Sequence, residues 1–160
     1  MKMKLLPIVL FAVLAGLAHG GVKEDIERAQ KAAVSGNKLV AFVFLQEYWD
    51  PNCPTCVAQV GATNAALKKL APTKYARVLY LERKDLAKED KDGTKGEAVL
   101  PDCIKEKGPG VVVTDAACTT VVATAKPSLD KKEAREADKR LNEACAEYLK
   151  TGKTPAAAAN

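Results

Sequence analysis

The chain is nearly without histidine. His19 is the single one among 160 residues, and it lies in an N-terminal segment that reads as removable. A mature chain without histidine has no Ser-His or Cys-His nucleophile system. Nor can it build a Cys2His2 or three-histidine metal site. Methionine is confined to Met1 and Met3, which counts against a copper carrier. No charge of one sign dominates either. The formal net charge of +5 is interleaved with acids, as in Lys131-Lys132-Glu133 and Glu136-Ala137-Asp138-Lys139-Arg140. Such mixed runs are solvated helix faces rather than nucleic-acid stripes. There is no phosphate loop, nucleotide fingerprint or internal repeat. Asp90-Lys91-Asp92-Gly93 has the look of a calcium loop, but Lys88 holds the first ligand position and Val99 the twelfth, which excludes it.

Long hydrophobic runs are also missing. Leu5 to Leu17 is apolar apart from Pro7 and Gly16, about 13 residues, short of the roughly 20 that span a bilayer. Lys2 and Lys4 precede it, and Ala18 and Gly20 offer small residues at a cleavage site. Residues 1–20 therefore read as a secretory signal peptide cut after Gly20, with Ala18 the second choice. The expectation is a periplasmic or secreted protein with no stable membrane insertion after cleavage. Disulfides persist in such compartments. Loss of Lys2 and Lys4 would lower the charge by two, to about +3. About 140 residues would remain, the size of one domain.

What is present is an alternation of helical and strand patterns. Val22 to Ser35 is an amphipathic helix with Ile26, Ala29, Ala33 and Val34 on one side, stopped by Gly36-Asn37. Lys38 to Leu45 is a buried strand. Pro54 to Leu70 is a helix closed by Ala71-Pro72, with Gly61 as a weak point. Ala76 to Glu82 is a second strand, and Asp85 to Glu97 a charged, solvated loop. Leu100 to Lys107 reads as a short helix broken by Gly108-Pro109-Gly110. Val111 to Thr114 and Thr119 to Thr124 form a hairpin. Ser128 caps a last helix from about Leu129 to Lys150. Residues 21–150 make the domain and 151–160 a frayed tail. The order predicts an α/β fold: a central mixed sheet, first two strands parallel, hairpin antiparallel, helices on both faces.

Five cysteines stand in this frame. Two form Cys53-Pro54-Thr55-Cys56, at the junction between the first strand and the second helix. A thiol there meets the free N–H groups and partial positive charge of a helix N-terminus. Both favour the thiolate, the species that attacks disulfides. Zinc ribbons use Cys-x-x-Cys in pairs, and there is no second one here.

The stretch Glu47-Tyr48-Trp49-Asp50-Pro51-Asn52-Cys53-Pro54-Thr55-Cys56 resembles the active-site segment of the thioredoxin superfamily. It is most similar to the protein disulfide isomerase version, and the likeness covers nearly the whole mature domain. Asn52 departs from the usual aromatic, and Gly61 from the usual proline five residues after the second cysteine. Pro109 falls where the family has a cis-proline facing the disulfide, with Gly110 replacing the threonine that usually follows. The resemblance implies a three-layer thioredoxin-like fold and thiol–disulfide oxidoreductase activity without a cofactor or metal. Cys53 would be the attacking thiol and Cys56 the resolving one. Glu47 would accept or deliver the proton of Cys56. Trp49 would pack under the active-site loop, while Gly108 and Pro109 would present backbone to a bound substrate strand. The partners implied are exported proteins carrying thiols or disulfides and a further redox partner, with this chain a monomer.

Of the other cysteines, Cys118 at the hairpin tip and Cys145 on the last helix either meet as a structural disulfide or stay as two separate thiols. Cys103 is read as a buried apolar residue, or as a third redox or metal-binding thiol nearer the active site. Two further readings use the same fold without catalysis. One is a soft-metal (copper) site on Cys53, Cys56 and Cys103; the other is an interaction protein whose Cys53–Cys56 bond is permanent.

Overall fold

The first helix, α1, spans Val22–Gly36 and ends on Asn37, whose φ of 47° is left-handed and whose N–H reaches the Ala33 and Val34 carbonyls. Asparagine tolerates that conformation better than most side chains. The structure is a computed structural model that describes residues 21–47, 51–104 and 110–154. The expected signal peptide, Trp49, Gly108, Pro109 and the end of the tail lie outside the described residues.

After α1 come β1 (Leu39–Phe44), α2 (Pro54–Leu70), β2 (Ala76–Leu81) and α3 (Arg83–Ala87). A 3-10 turn at Gly96–Val99, β3 (Val111–Thr114), β4 (Val121–Ala125) and α4 (Lys131–Thr151) complete the order. The four strands form one mixed sheet in the order β2-β1-β3-β4. β1 runs parallel to β2 and antiparallel to β3, and β4 is antiparallel to β3. This is the α/β arrangement expected from the alternating pattern.

The unbroken apolar run of β1 follows from its central position, covered on both faces. Side chains alternate between the faces with period two. Leu39, Ala41 and Val43 join Leu67 and Leu70 of α2 and Leu141, Ala144 and Cys145 of α4. Val40 and Phe42 face the other way, onto Val22, Ile26, Ala29 and Ala33 of α1. Helices therefore cover both faces of the sheet. Phe42 is fully buried, and burial of such a side chain stabilises by roughly 1.5–3 kcal/mol.

Four expectations need correction. Val34 is 70% exposed, because it sits off the stripe set by Val22, Ile26, Ala29 and Ala33. The cap of α4 is Asp130, whose carboxylate accepts from the N–H groups of Lys132 and Glu133. Ser128 instead donates its hydroxyl to Glu133 and accepts from the Asp130 N–H. The charged stretch after β2 is more ordered than a loop. It holds α3, a turn bridged between Glu89 and Lys95, and the 3-10 turn. Gly96 is buried there, and a Cβ on it would fall 2.9 Å from Val22. Finally, α2 continues through Gly61 without a break.

Candidate functional site

Cys53 is the N-cap of α2, in extended backbone, with Pro54 at the start of the helix. Proline suits that position because its φ is already helical and its missing N–H would have no partner. The Cys53 carbonyl accepts from the Val57 N–H at 3.0 Å, which begins the helical ladder. The Cys56 N–H donates to Cys53 Sγ at 3.3 Å. Cys53 and Cys56 are joined as a disulfide with Cα atoms 5.3 Å apart. Both are half-buried, between exposed Pro51 and Asn52 on one side and exposed Pro54 and Thr55 on the other.

The electrostatics favour a reactive sulfur. The first turn of α2 carries no acid, whereas Lys68 and Lys69 stand in its last turn. No acid within that turn competes for the positive end of the helix. Once the bond is reduced, the N–H donor and the helix end would both stabilise a Cys53 thiolate.

The connection from β1 into α2 is held by an amide that the sequence reading did not single out. Asn64, in the middle of α2, accepts from the Gln46 N–H at 2.8 Å and donates to the Gln46 carbonyl at 2.9 Å. One side chain supplies both hydrogen bonds that a neighbouring strand would supply. Its signal in the sequence is faint: a single asparagine on a helix otherwise rich in small and apolar residues. A cavity of about 560 Å3 opens beside this clamp, lined by Gln46, Glu47, Pro51, Gly61, Asn64 and Lys84 among others.

Glu47 lies just beyond β1 and is half-buried. Its carboxylate accepts from the Lys84 N–H at 2.6 Å, in the first turn of α3. It therefore ties the end of β1 to the start of α3, at the mouth of the same cavity. Gly110 marks the other side of the same pole. The Phe44 N–H donates to its carbonyl at 2.9 Å, which prolongs the β1–β3 ladder. Gly110 has φ of 153°, and a Cβ there would lie 2.5 Å from the Ala125 carbonyl oxygen. That crowding leaves no room for a side chain at this position.

The remaining cysteines are free thiols. Cys118 packs with α1 on one face of the sheet, while Cys145 packs with Leu67 and Leu141 on the other. The sheet separates them, so of the two readings the separate thiols hold and the Cys118–Cys145 disulfide does not. Cys103 packs against the apolar cluster under α1, as its reading as a buried apolar residue has it, and not near the active site. Its thiol lies 3.3 Å from the Cys118 carbonyl, beyond the end of β3 where Thr114 pairs with Val40. Cys53 follows the opposite end of β1. Burial pushes all three thiols up, that of Cys145 to about 12. The Asp115 carboxylate adds to the effect at Cys103 and Cys118. Among the described residues, no group of three or more His, Cys, Asp or Glu side chains could hold a metal ion. None of their helices is long and apolar enough to cross a membrane.

The structure thus brings together Cys53, Cys56 and a helix N-terminus, with Glu47 and Gly110 at the same pole. Set against protein-family models, curated proteins and solved structures, the chain matches none.

Proposed function

We propose that this chain is an exported thiol–disulfide oxidoreductase acting on proteins of the periplasm or the secreted space. The observation that carries the reading is the Cys53–Cys56 disulfide at the N-terminus of α2, with the Cys56 N–H on Cys53 Sγ. The thioredoxin-like lead-in from Glu47 to Pro51 and the α/β fold support it.

In the reducing direction, the Cys53 thiolate attacks one sulfur of a substrate disulfide. A Cys53–substrate bond forms, the substrate S–S bond breaks, and the first substrate thiolate leaves. Cys56 then loses its proton and attacks Cys53 Sγ. The Cys53–Cys56 bond forms, the mixed disulfide breaks, and the second substrate thiolate leaves. Two electrons pass from the cysteine pair to the substrate. Run backwards, the same steps oxidise two substrate thiols. Glu47 is proposed as the group that exchanges the Cys56 proton. The Glu47→Gln variant tests this role. It retains an oxygen for the Lys84 N–H but cannot take up or release a proton, so slowed resolution with unchanged stability separates proton transfer from capping.

The deciding experiment is the reduction potential of the Cys53–Cys56 pair, measured by mass spectrometry of alkylated peptides in glutathione and dithiothreitol buffers. A value between roughly −120 and −180 mV marks an oxidase or isomerase, and one near about −270 mV a reductase. A pair still oxidised below about −300 mV is structural and defeats the proposal. In the envelope, Cys56→Ser should accumulate mixed disulfides through Cys53. Their absence counts equally against catalysis.

A further inference from the structure

Cys118 sits in a tightly specified turn. The Asp115 carboxylate accepts from the N–H groups of Thr119 and Thr120 at 2.7 and 2.9 Å and from the Thr119 hydroxyl at 2.8 Å. The Cys118 N–H closes the turn onto the Asp115 carbonyl at 3.0 Å. Gln30 of α1 clamps the turn from outside, donating to the Ala117 carbonyl at 2.9 Å. Cys118 is left with φ of 57° and its side chain in the core under α1.

Cys103 approaches that position from another part of the chain. Its thiol donates to the Cys118 carbonyl oxygen at 3.3 Å. That oxygen is two bonds from the Cα that bears the second thiol. Both residues belong to the same apolar cluster, with Ile104 and Leu100 beside Cys103. Among the three free thiols only this pair shares a face of the sheet. Cys145 lies across the sheet and is fully buried.

We propose that Cys103 and Cys118 form a second disulfide, which staples the segment after the 3-10 turn to the tip of the β3–β4 hairpin. Cys103 is the half-exposed partner, so its thiolate attacks a small disulfide such as oxidised glutathione. A Cys103–glutathione bond forms and one glutathione thiol leaves. Cys118 then attacks Cys103 Sγ, expelling the second glutathione thiol. Two protons and two electrons end on glutathione. The staple lies at the pole opposite Cys53 and does not require that pair to be catalytic. It accounts for four of the five cysteines and leaves the odd one, Cys145, where no partner reaches it.

The test uses the mature chain with Cys53→Ser and Cys56→Ser, which removes the first pair. The protein is equilibrated in glutathione buffer near about −200 mV, unfolded, alkylated and digested without reduction. The expected product is a peptide pair joined through Cys103 and Cys118, with Cys145 alkylated. In a second measurement, dithiothreitol should lower the melting temperature by about 10 °C, since the closed loop is about 15 residues. A further Cys103→Ser change should abolish that shift. Alkyl groups on all three cysteines, a cross-link through Cys145, or a melting temperature indifferent to dithiothreitol would each overturn the proposal.

Discussion

Two helices each carry a cysteine in their packing, and they treat it oppositely. At the start of α2 the cysteines are half-buried, with a backbone N–H on the Cys53 sulfur and no acid in the first turn of the helix. In α4, Cys145 sits in the interior of the helix, fully buried among Leu67, Leu141 and Ala144. There its thiol is pushed up to about 12 by burial. The residue type is the same. What differs is whether free N–H groups or hydrocarbon surround the sulfur. Position on the helix thus decides what surrounds each sulfur.

The contrast can be broken most severely by removing one sulfur from each helix. Cys53→Ser should reduce thiol–disulfide exchange by more than about 100-fold, whereas Cys145→Ala should leave the rate unchanged; a disulfide-reduction assay on the two purified variants decides this. Equal losses would erase the distinction.

The next effect is on stability at alkaline pH. An unfolded cysteine ionises near 9.0 and the folded Cys145 near about 12. The folded state therefore holds the proton more tightly. Its advantage is whole below pH 9 and is lost as pH rises toward 12, at up to about 1.4 kcal/mol per pH unit. Denaturant melts of wild type and Cys145→Ala between pH 8 and 11 should show the steeper decline in wild type.

A smaller change sharpens the picture of how the reactive end is held. Asn64→Ala removes both hydrogen bonds to Gln46 and should cost about 1–3 kcal/mol. It should also slow exchange through a looser strand-to-helix connection, read by urea unfolding alongside the exchange rate. The mildest test adds a charge. Thr55→Glu places a carboxylate in the acid-free first turn of α2, where such a charge interacts with the helix end by about 0.3–1 kcal/mol. The added negative charge should disfavour the Cys53 thiolate and slow its alkylation in the reduced protein at neutral pH.

Much of this arrangement is legible in the chain itself. The limits of α2 follow from Cys53-Pro54 at one end and Ala71-Pro72 at the other, both local signals. The continuous apolar run of β1 announces a central strand, and the short hairpin follows from its flanking turn residues. The charged stretch from Asp85 to Glu97 hides its order because few of its residues, Leu86 and Gly96 among them, turn inward. The fates of Cys118 and Cys145 are hidden for another reason. Which face of the sheet α4 covers is a matter of packing between distant segments. The pole of each cysteine can be read from the strand order, but the face cannot. Asn64 is missed because nothing in a helical pattern reveals an amide that stands in for a strand.

The seclusion of Cys145 also bears on how the molecule matures. Before α4 docks, its thiol is exposed in an unfolded chain alongside four others, and any of them can capture it. After docking, no oxidant of ordinary size can touch it. A chain that collapses before it is oxidised keeps its odd sulfur out of wrong partnerships, while one oxidised first risks tangled or cross-linked products. Early docking of α4 is therefore enough to withdraw this sulfur from exchange.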